Sequence, residues 1–341
     1  MRILIVRTSS LGDIVHSLPV LTALRRHFSD SKIAWVVEAS YQPLLAGHPE
    51  LDEVIPVRLR EWRKRLFSPS TYHEVATFIR RLHDFSADTA LDLMGNHKAA
   101  IVTALSLAER RIGFTCQTRR EPSSALWLNE LVRPSKVHST DKMLSLLQAL
   151  GVPSLPADFG GSKLFPPQVD DSSRVSSDQS SAFLLIHPGT AWGNKCYPPA
   201  LWGQVAARLG KRLSVDIRVV SGPGEEELAH RVVAAADGYA TVTDAPDLST
   251  LASILRRARL VMAGDTGPLH LAHALGSRVL CLMGPTDPAK SGPYASPNLA
   301  LWKQLPCSFC CKRFDLAKAC LLELTPEAIS KRAEELLDSA S

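Results

Sequence analysis

The sequence predicts an α/β protein with two doubly wound parallel sheets, one in each half of the chain. Apolar segments of strand length alternate with longer segments of helical periodicity in both halves. Glycines and small polar residues come directly after several of these predicted strands, which is where doubly wound folds bind ligands. At 341 residues the chain is long enough for two domains, each with its own core.

The first half begins with a buried strand and continues as alternating elements. Residues 2–7 are apolar enough for a central parallel strand, and the pattern of 14–27 predicts a helix. The other strands of this half are predicted at 33–37, 54–57 and 89–93, and the other helices near 41–46, 72–83 and 141–150.

A segment rich in Pro, Gly and Ser, residues 152–181, separates the two halves and indicates a linker. We therefore predict an amino-terminal domain at 1–165, a linker at 166–181, a carboxy-terminal domain at 182–320 and a separate terminal segment at 321–341. Strands of the second domain are predicted at 182–186, 216–220, 240–243, 259–263 and 278–283, and helices at 198–210, 225–236, 248–258 and 268–275.

Composition narrows the class of protein. Apolar residues make up 45% of the chain and charged residues 21%, as in an ordinary soluble globular protein. No apolar run approaches the roughly 20 residues needed to span a bilayer, and the first apolar run is too short and too quickly interrupted for a signal peptide. We expect a cytoplasmic protein with mostly reduced cysteines. The net charge of +5 is mild, so the positions of the charges matter more than their sum.

The turn after the first strand, Thr8 to Asp13, has small residues that let a ligand approach the backbone. Asp13 falls in the first turn of the following helix. There it either complements the helix dipole or acts as a general base that takes a proton from a hydroxyl nucleophile. The turn lacks the G-x-G-x-x-G pattern of dinucleotide sites.

Positive residues cluster in the first half of the chain. Residues 58–65 hold five positive charges, with Trp62 among them and Leu66 and Phe67 directly after. Such a run is either a solvated face or, with apolar residues interleaved, a membrane-surface or phosphate-binding site. No nucleic-acid recognition motif accompanies it. With cations that follow later strands it predicts a basic rim for a polyanionic substrate, made of Arg60, Arg63, Lys64, Lys98 and Arg120.

In the second half, residues 261–288 read as one β–α–β unit with a break at Gly264-Asp265-Thr266-Gly267. Thr266 is the predicted N-cap of the helix and Gly276 its predicted end. Free backbone N–H groups and the helix dipole can bind an anion at this break, and Asp265 can accept hydrogen bonds from sugar hydroxyls. A plain capped turn is the alternative. A second glycine turn after the next strand favours the ligand site.

Three other residues of the second half are also candidates for contact with a ligand. Lys195, on the turn after the strand at 182–186, is either a solvated lysine or a pyrophosphate ligand. Glu225 is either a dipole partner or a ribose ligand. His270 is expected to face the ligand and His273 to pack.

Four cysteines lie near the carboxyl end. A C-x-x-C spacing among them is compatible with a structural metal site, a reduced thiol cluster or a local disulfide. They are Cys307, Cys310, Cys311 and Cys320.

These motifs resemble the ADP-heptose glycosyltransferases of lipopolysaccharide core assembly, glycosyltransferase family 9. The Arg60-Glu61-Trp62-Arg63-Lys64 segment is most similar to the heptosyltransferase I branch. The cysteine-rich tail is more similar to heptosyltransferase II and to protein-modifying relatives, some of which hold iron there. The other matching segments are Thr8 to Asp13, Trp35-Val36-Val37-Glu38, Gln117 to Pro122, Asp265-Thr266-Gly267 and Gly284 to Pro288.

The resemblance implies the GT-B fold, in which two Rossmann-like domains face each other across a cleft and the terminal helix, here in 321–341, packs back on the first domain. It makes Asp13 the catalytic base, assigns Lys195 to the leaving group, and places the basic rim on the acceptor. Cations and dipoles would stabilise the departing ADP, so no cofactor or catalytic metal is expected. The implied donor-binding residues are Thr190, Glu225, Asp265, Thr266, Gly267 and His270.

We therefore expect an inverting glycosyltransferase that moves L-glycero-D-manno-heptose from ADP-heptose to a Kdo residue of Kdo-lipid A. It is expected to be a monomer, to bind no nucleic acid, and to lie at the cytoplasmic face of the inner membrane. One alternative is another ADP-heptose transferase, for the second core heptose or for a protein. Others are a sugar-nucleotide epimerase or hydrolase and a non-catalytic nucleotide-binding scaffold.

Overall fold

A computed structural model describes residues 1–165 and 182–339, and the predicted linker at 166–181 lies outside the described residues. The chain divides into two compact units, Met1–Pro166 and Pro167–Ser341. Each unit has a six-stranded parallel sheet, which confirms the predicted α/β class with two doubly wound sheets.

The first unit alternates strands and helices, and its sheet order is β3-β2-β1-β4-β5-β6. Its short 3₁₀ helices are Ala39–Tyr41, Cys116–Thr118, Pro122–Trp127, Ser145–Leu150 and Gly161–Lys163. Its strands and α-helices are β1 Arg2–Val6, α1 Leu11–His27, β2 Lys32–Glu38, α2 Gln42–Leu45, β3 Glu53–Val57, α3 Leu59–Lys64, α4 Pro69–Phe85, β4 Thr89–Asp92, α5 His97–Leu105, β5 Arg110–Phe114, β6 Glu130–Val132 and α6 Ser139–Leu144.

The second unit repeats the pattern with the sheet order β12-β11-β10-β7-β8-β9. Its 3₁₀ helices include Gly193–Lys195 and Pro297–Leu299. Its strands and α-helices are β7 Phe183–His187, α7 Pro199–Leu213, β8 Asp216–Val219, α8 Glu226–Ala234, β9 Ala240–Val242, α9 Leu248–Arg257, β10 Leu260–Gly264, α10 Gly267–Ala274, β11 Val279–Leu282, α11 Pro288–Ser291, β12 Ala300–Leu301, α12 Ala319–Leu322 and α13 Pro326–Asp338.

Buried apolar strands form the centre of each sheet. In β1, the residues from Ile3 to Val6 have no exposed surface, and the same is true of Leu184 to Ile186 in β7. Both strands lie between parallel neighbours with a helix layer on either side, which is why their sequences are continuously apolar. Because all strands of a sheet are parallel, the loops after them gather at one edge, called here the carboxyl edge.

The terminal helix α13 packs on α7 within the second unit. It buries Ile329, Ala333, Leu336 and Leu337 in the same core as Trp202. We predicted a separate terminal segment at 321–341. In the structure, helix α13 instead forms part of the core of the second unit. Its packing on the amino-terminal domain stays a prediction.

Three strands were missed by the sequence patterns. β5 begins with two arginines, β6 is three residues long and β12 only two. Edge strands such as β6 and β12 need few apolar side chains, because one side of each has no partner strand. Within the described residues, no helix is long and apolar enough to cross a membrane.

Candidate active site

Asp13 is held at the carboxyl edge of the first unit. Its Oδ2 accepts hydrogen bonds from the backbone N (3.1 Å) and Oγ (2.9 Å) of Ser10, so it satisfies the amino end of α1. Its Oδ1 lies 2.6 Å from Nη2 of Arg7, and 45% of the Asp13 side chain is exposed. Asp13 therefore complements the helix terminus and also presents a carboxylate to solvent. Its structural role at the helix end is compatible with the predicted role as a general base.

Arg7, directly after β1, is the partner that sequence reasoning missed. It is buried, and its Nη1 donates to the carbonyl of Leu93, the residue after β4. Its own carbonyl accepts a hydrogen bond from Nε1 of Trp35 at 3.1 Å. A cation at the end of an otherwise apolar strand, six residues before an aspartate, was the signal available in the sequence.

Helix α3 presents part of the basic rim. Its Trp62 is buried, packs against Phe78 with 5.7 Å between ring centroids, and donates from Nε1 to Glu74 at 2.9 Å. Trp62 fixes the buried face of α3, and the side chains of Arg60, Arg63 and Lys64 are exposed.

The amino end of α3 is tied to the carboxyl end of β2. The backbone N of Arg60 donates to Oε1 of Glu38 at 3.2 Å. Burial raises the pKa of Glu38, against the lowering effect of that hydrogen bond and the charge of Arg60. The rim residues of α3 therefore lie at the carboxyl edge.

A buried ion pair joins the two loops that carry Lys98 and Arg120. Nη2 of Arg119 lies 2.5 Å from Oδ2 of Asp92, and neither side chain has exposed surface. Asp92 Oδ1 accepts from the backbone N of Met94 and Gly95, and the carbonyl of Gly95 accepts from the N of Glu121. These bonds join the loop after β4 to the loop after β5.

The rim residues on these two loops are exposed. Lys98 lies in the first turn of α5, and Arg120 lies next to the buried Arg119. The carboxyl edge of the first unit therefore holds all five predicted rim cations, after β3, β4 and β5.

Asp265 is the centre of a buried network in the second unit. Its Oδ2 lies 2.6 Å from Nζ of Lys195 and accepts from Oγ1 of Thr286 at 2.7 Å, while its Oδ1 lies 3.0 Å from Nε2 of His270. Burial opposes ionisation, but the hydrogen bonds and charges of His270 and Lys195 outweigh it and hold the pKa of Asp265 well below its usual range.

In this network Asp265 contacts both Lys195 and His270. The donor-binding role of Asp265 and His270 stays a prediction. Asp265 fixes the Lys195 ammonium, which also lies 4.5 Å from the centroid of the Trp192 ring. Thr286 lies in the glycine turn after β11 and was not among the predicted site residues.

The turn that carries Lys195 is tied to the segment after the cysteines. Asn194 donates from Nδ2 to the carbonyl of Lys312 at 2.9 Å, and its Oδ1 accepts from the backbone N of Phe314 at 3.2 Å. A Cβ on Gly193 would lie 1.8 Å from the carbonyl oxygen of Asp315, so only glycine fits there. Gly193 and Asn194 thus anchor the lysine turn to the tail.

Glu225, after β8, lies against Gly189, the residue before Thr190 in the loop after β7. A Cβ on Gly189 would lie 1.9 Å from Oε2 of Glu225, and that oxygen accepts from the backbone N of Gly222 at 3.3 Å. Burial raises the pKa of Glu225. The hydroxyl of Thr190 donates to the carbonyl of Trp192 at 2.7 Å, so it stabilises its own turn.

Thr266 and Gly267 begin α10 at the end of β10, as predicted. Thr266 is the N-cap residue of this helix, as predicted, although its side chain makes no capping hydrogen bond. Gly276, with a φ of +86°, follows the last turn as expected.

The four cysteines near the carboxyl end are free thiols in the structure, and the structural metal site stays a hypothesis. Cys307, Cys310 and Cys311 are exposed and Cys320 is buried, and the local disulfide is not formed. In the part of the chain that the structure describes, no group of three or more His, Cys, Asp or Glu side chains is placed to hold a metal ion. Burial raises the pKa of Cys320, with a smaller contribution from Cys310 and Cys307.

Residues 75–320 match the model of glycosyltransferase family 9 (heptosyltransferase). The chain is 32% identical to lipopolysaccharide heptosyltransferase 1 of Pseudomonas aeruginosa over 99% of its own length and 98% of that protein. It is 28% identical to E. coli heptosyltransferase WaaC solved with ADP, with a TM-score of 0.81 over 98% of this chain and 100% of that one. For the same protein with ADP-2-deoxy-2-fluoro heptose, the identity is 29% and the TM-score 0.78, over 98% of this chain and 99% of that one.

Proposed function

The chain belongs to glycosyltransferase family 9 and has the GT-B fold, and we propose that it transfers L-glycero-D-manno-heptose from ADP-heptose to a Kdo residue of Kdo-lipid A in assembly of the lipopolysaccharide inner core. The observation that carries this proposal is the similarity to heptosyltransferase 1 along almost the whole of both chains. WaaC structures that contain ADP or an ADP-heptose analogue support the donor.

In this proposal Asp13 is the general base. Its half-exposed carboxylate takes the proton of the acceptor hydroxyl as that oxygen forms a bond to the anomeric carbon of heptose. The bond from that carbon to the ADP phosphate oxygen breaks in the same displacement. Attack opposite the leaving group inverts the anomeric configuration.

Lys195 stabilises the leaving ADP. Negative charge develops on the departing phosphate oxygen, and a lysine held by a buried aspartate is already in place before that charge appears. The amino end of α10, at Thr266 and Gly267, contributes its free backbone N–H groups and helix dipole. No step in this proposal requires a divalent metal.

We assign the remaining contacts by chemistry. Glu225 accepts from ribose hydroxyls beside the turn of Thr190, and Asp265 and His270 act by positioning Lys195. The basic rim binds the phosphates and Kdo carboxylates of the acceptor, since arginine and lysine are suited to both groups. We further propose that the protein acts as a monomer at the cytoplasmic face of the inner membrane, where a lipid acceptor would lie.

The test is incubation with ADP-heptose and Kdo-lipid A, with the product identified by mass spectrometry and its linkage by NMR. The proposal expects one heptose on Kdo and release of ADP. Consumption of ADP-heptose without any acceptor would indicate an epimerase or hydrolase. Transfer only to an acceptor that already has its first heptose, or to a protein, would indicate another branch of the family. Binding of ADP without transfer would indicate a scaffold.

A further inference from the structure

An exposed apolar turn lies between α3 and α4. The backbone N of Ser68 donates to the carbonyl of Arg65 at 3.0 Å, so Leu66 and Phe67 occupy the two central positions of a tight turn. Such positions usually hold Gly, Asn, Asp, Ser or Pro. Here the Phe67 side chain is 90% exposed and Leu66 57%. Two adjacent large apolar side chains at a turn tip suggest contact with an apolar phase.

The turn is fixed in position by packing between α3 and α4. Trp62 at its amino-terminal side is buried against Phe78 and bonded to Glu74, so α3 and α4 are joined beneath the tip. The backbone N of Arg65 donates to the carbonyl of Trp62 at 3.0 Å and continues the last turn of α3. Because the tip is held in place, its apolar side chains lose little freedom on binding.

Five cations lie on the segment that leads into the turn, residues 58–65. They are Arg58, Arg60, Arg63, Lys64 and Arg65, and all are exposed. Two carboxylates share the region, since Arg65 lies 3.4 Å from Glu61 and 3.8 Å from Glu74. Five cations against two carboxylates leave a positive segment next to an apolar tip, and this combination fits an anionic bilayer, with acyl chains below and headgroups around them.

The location agrees with a lipid acceptor. Helix α3 starts two residues after β3, at the carboxyl edge where Asp13 follows β1. β3 and β1 are separated by β2, which places these two strands about 10 Å apart.

We propose that the turn at Leu66 and Phe67 is a membrane wedge: it inserts into the anionic bilayer while the cations of residues 58–65 bind lipid headgroups. This inference rests on the proposed lipid acceptor only for the orientation of the wedge. The wedge itself follows from the exposed tip and its charge.

The test measures co-sedimentation of the full chain with vesicles of phosphatidylethanolamine and phosphatidylglycerol that contain no Kdo lipid. The expected result is binding to these vesicles and much weaker binding to phosphatidylcholine vesicles. Phe67→Ser should lower the partition coefficient about tenfold or more, since a buried Phe side chain is lost. Replacing Arg63 and Lys64 by Ala should lower it about fivefold for each charge.

Leu107→Ser is the matched control. Leu107 is 72% exposed but precedes β5, at the opposite edge of the sheet from Asp13, so its replacement should leave vesicle binding unchanged. As a direct measurement of insertion, brominated anionic lipids should quench the fluorescence of Phe67→Trp more than that of the wild type with its six tryptophans, and Leu107→Trp should show no such increase. Equal vesicle binding of wild type and Phe67→Ser would overturn the wedge, as would equal losses in Phe67→Ser and Leu107→Ser. Binding to RNA as tight as to vesicles, and unchanged in Phe67→Ser, would mean plain attraction to polyanions.

Failure of the wedge and failure of the proposed function can be told apart. With a water-soluble Kdo acceptor that lacks acyl chains, Phe67→Ser should transfer heptose at the wild-type rate. Absence of transfer by the wild type would reject the proposed function and leave the vesicle result standing. Loss of transfer to the soluble acceptor in Phe67→Ser alone would assign Phe67 to the sugar site and overturn the wedge.

Discussion

Arg7 and Asp13 form an ion pair of 2.6 Å between a buried guanidinium and a carboxylate with nearly half of its side chain exposed. The arginine is held in turn by the carbonyl of Leu93. The carboxylate is held on its other oxygen by Ser10. The proposed base is thus oriented from two sides before any substrate arrives, which is the preorganisation that catalysis needs.

Asp13→Asn should lose most of the turnover. The amide keeps the size of the side chain but cannot accept the acceptor proton, so we expect kcat to fall about 10²- to 10⁴-fold while ADP-heptose affinity stays near the wild-type value. Steady-state kinetics and calorimetric titration with ADP measure the two quantities. Asp30→Asn, on an exposed loop, is the control for loss of a carboxylate. Full turnover in Asp13→Asn would assign the base elsewhere.

Arg7→Met tests the positioning role of the arginine. Without its positive neighbour the Asp13 carboxylate binds a proton more readily, so the acid limb of the kcat/KM profile should move to higher pH. We also expect a loss of kcat with little change in donor KM. Arg7→Lys, which retains the charge, should restore the position of the acid limb at least in part. A purely structural role would lower activity equally at every pH.

Gly193→Ala should displace the lysine turn. The new Cβ meets the backbone carbonyl of Asp315, which cannot move as a side chain can. Because Lys195 lies two residues later in the same 3₁₀ turn, we expect kcat/KM for ADP-heptose to fall about 10²-fold. Gly189→Ala is the comparison, since its Cβ meets only the flexible end of Glu225, and a smaller loss is expected. Equal losses would show that the backbone clash is not what matters.

The sequence was sufficient for the parts of the fold that depend on local pattern. Continuous apolar runs located β1, β2, β7, β10 and β11, and glycine turns after them located Asp13, Lys195 and Asp265. These signals are local because a buried parallel strand and the turn that ends it are contiguous in the chain. The contact from Arg7 to Asp13 was within reach of the same reasoning, since both residues flank one turn.

Partnerships between distant residues could not be predicted in this way. Asp92 and Arg119 are 27 positions apart and Asp265 and Thr286 are 21 apart, and no periodicity links them. Arg119 and Arg120 are neighbours in the sequence, and nothing local indicates that the first is buried and the second exposed. The tie between Asn194 and Lys312 likewise depends on how the tail returns to the lysine turn.

Stability should fall on acidification because of His187. Burial lowers the pKa of this histidine to about 4, while its ordinary value is 6.5. Between these two pH values the unfolded chain binds a proton that the folded chain does not, so the free energy of unfolding decreases as pH falls. The total from this residue is about 3 kcal/mol.

His187→Gln should reduce this dependence, since a neutral amide can donate to the carbonyl of Gly189 as the imidazole does. Between pH 6.5 and about pH 5, urea unfolding of the wild type should lose about 2 kcal/mol more than the variant. His73→Gln, at an exposed site, should behave like the wild type. Parallel pH curves for wild type and His187→Gln would show that this histidine is not the titrating group.

Replacement of Arg119 should lower the stability of the protein much more than replacement of its neighbour Arg120. Arg119→Met leaves the fully buried Asp92 without its cation, and the free energy of unfolding should fall by about 3–5 kcal/mol. Arg120→Met removes an exposed charge and should change stability by less than about 0.5 kcal/mol.

The KM for the acceptor should instead depend on Arg120 and not on Arg119. Arg120→Met should raise KM for the anionic acceptor about tenfold, the value of one charge-assisted hydrogen bond, and leave KM for ADP-heptose unchanged. Arg120→Lys is the control that keeps the charge. Urea unfolding and steady-state kinetics on both variants check the assignment. If Arg120→Met lost stability and Arg119→Met lost only acceptor affinity, the buried pair and the basic rim would have been assigned to the wrong residues.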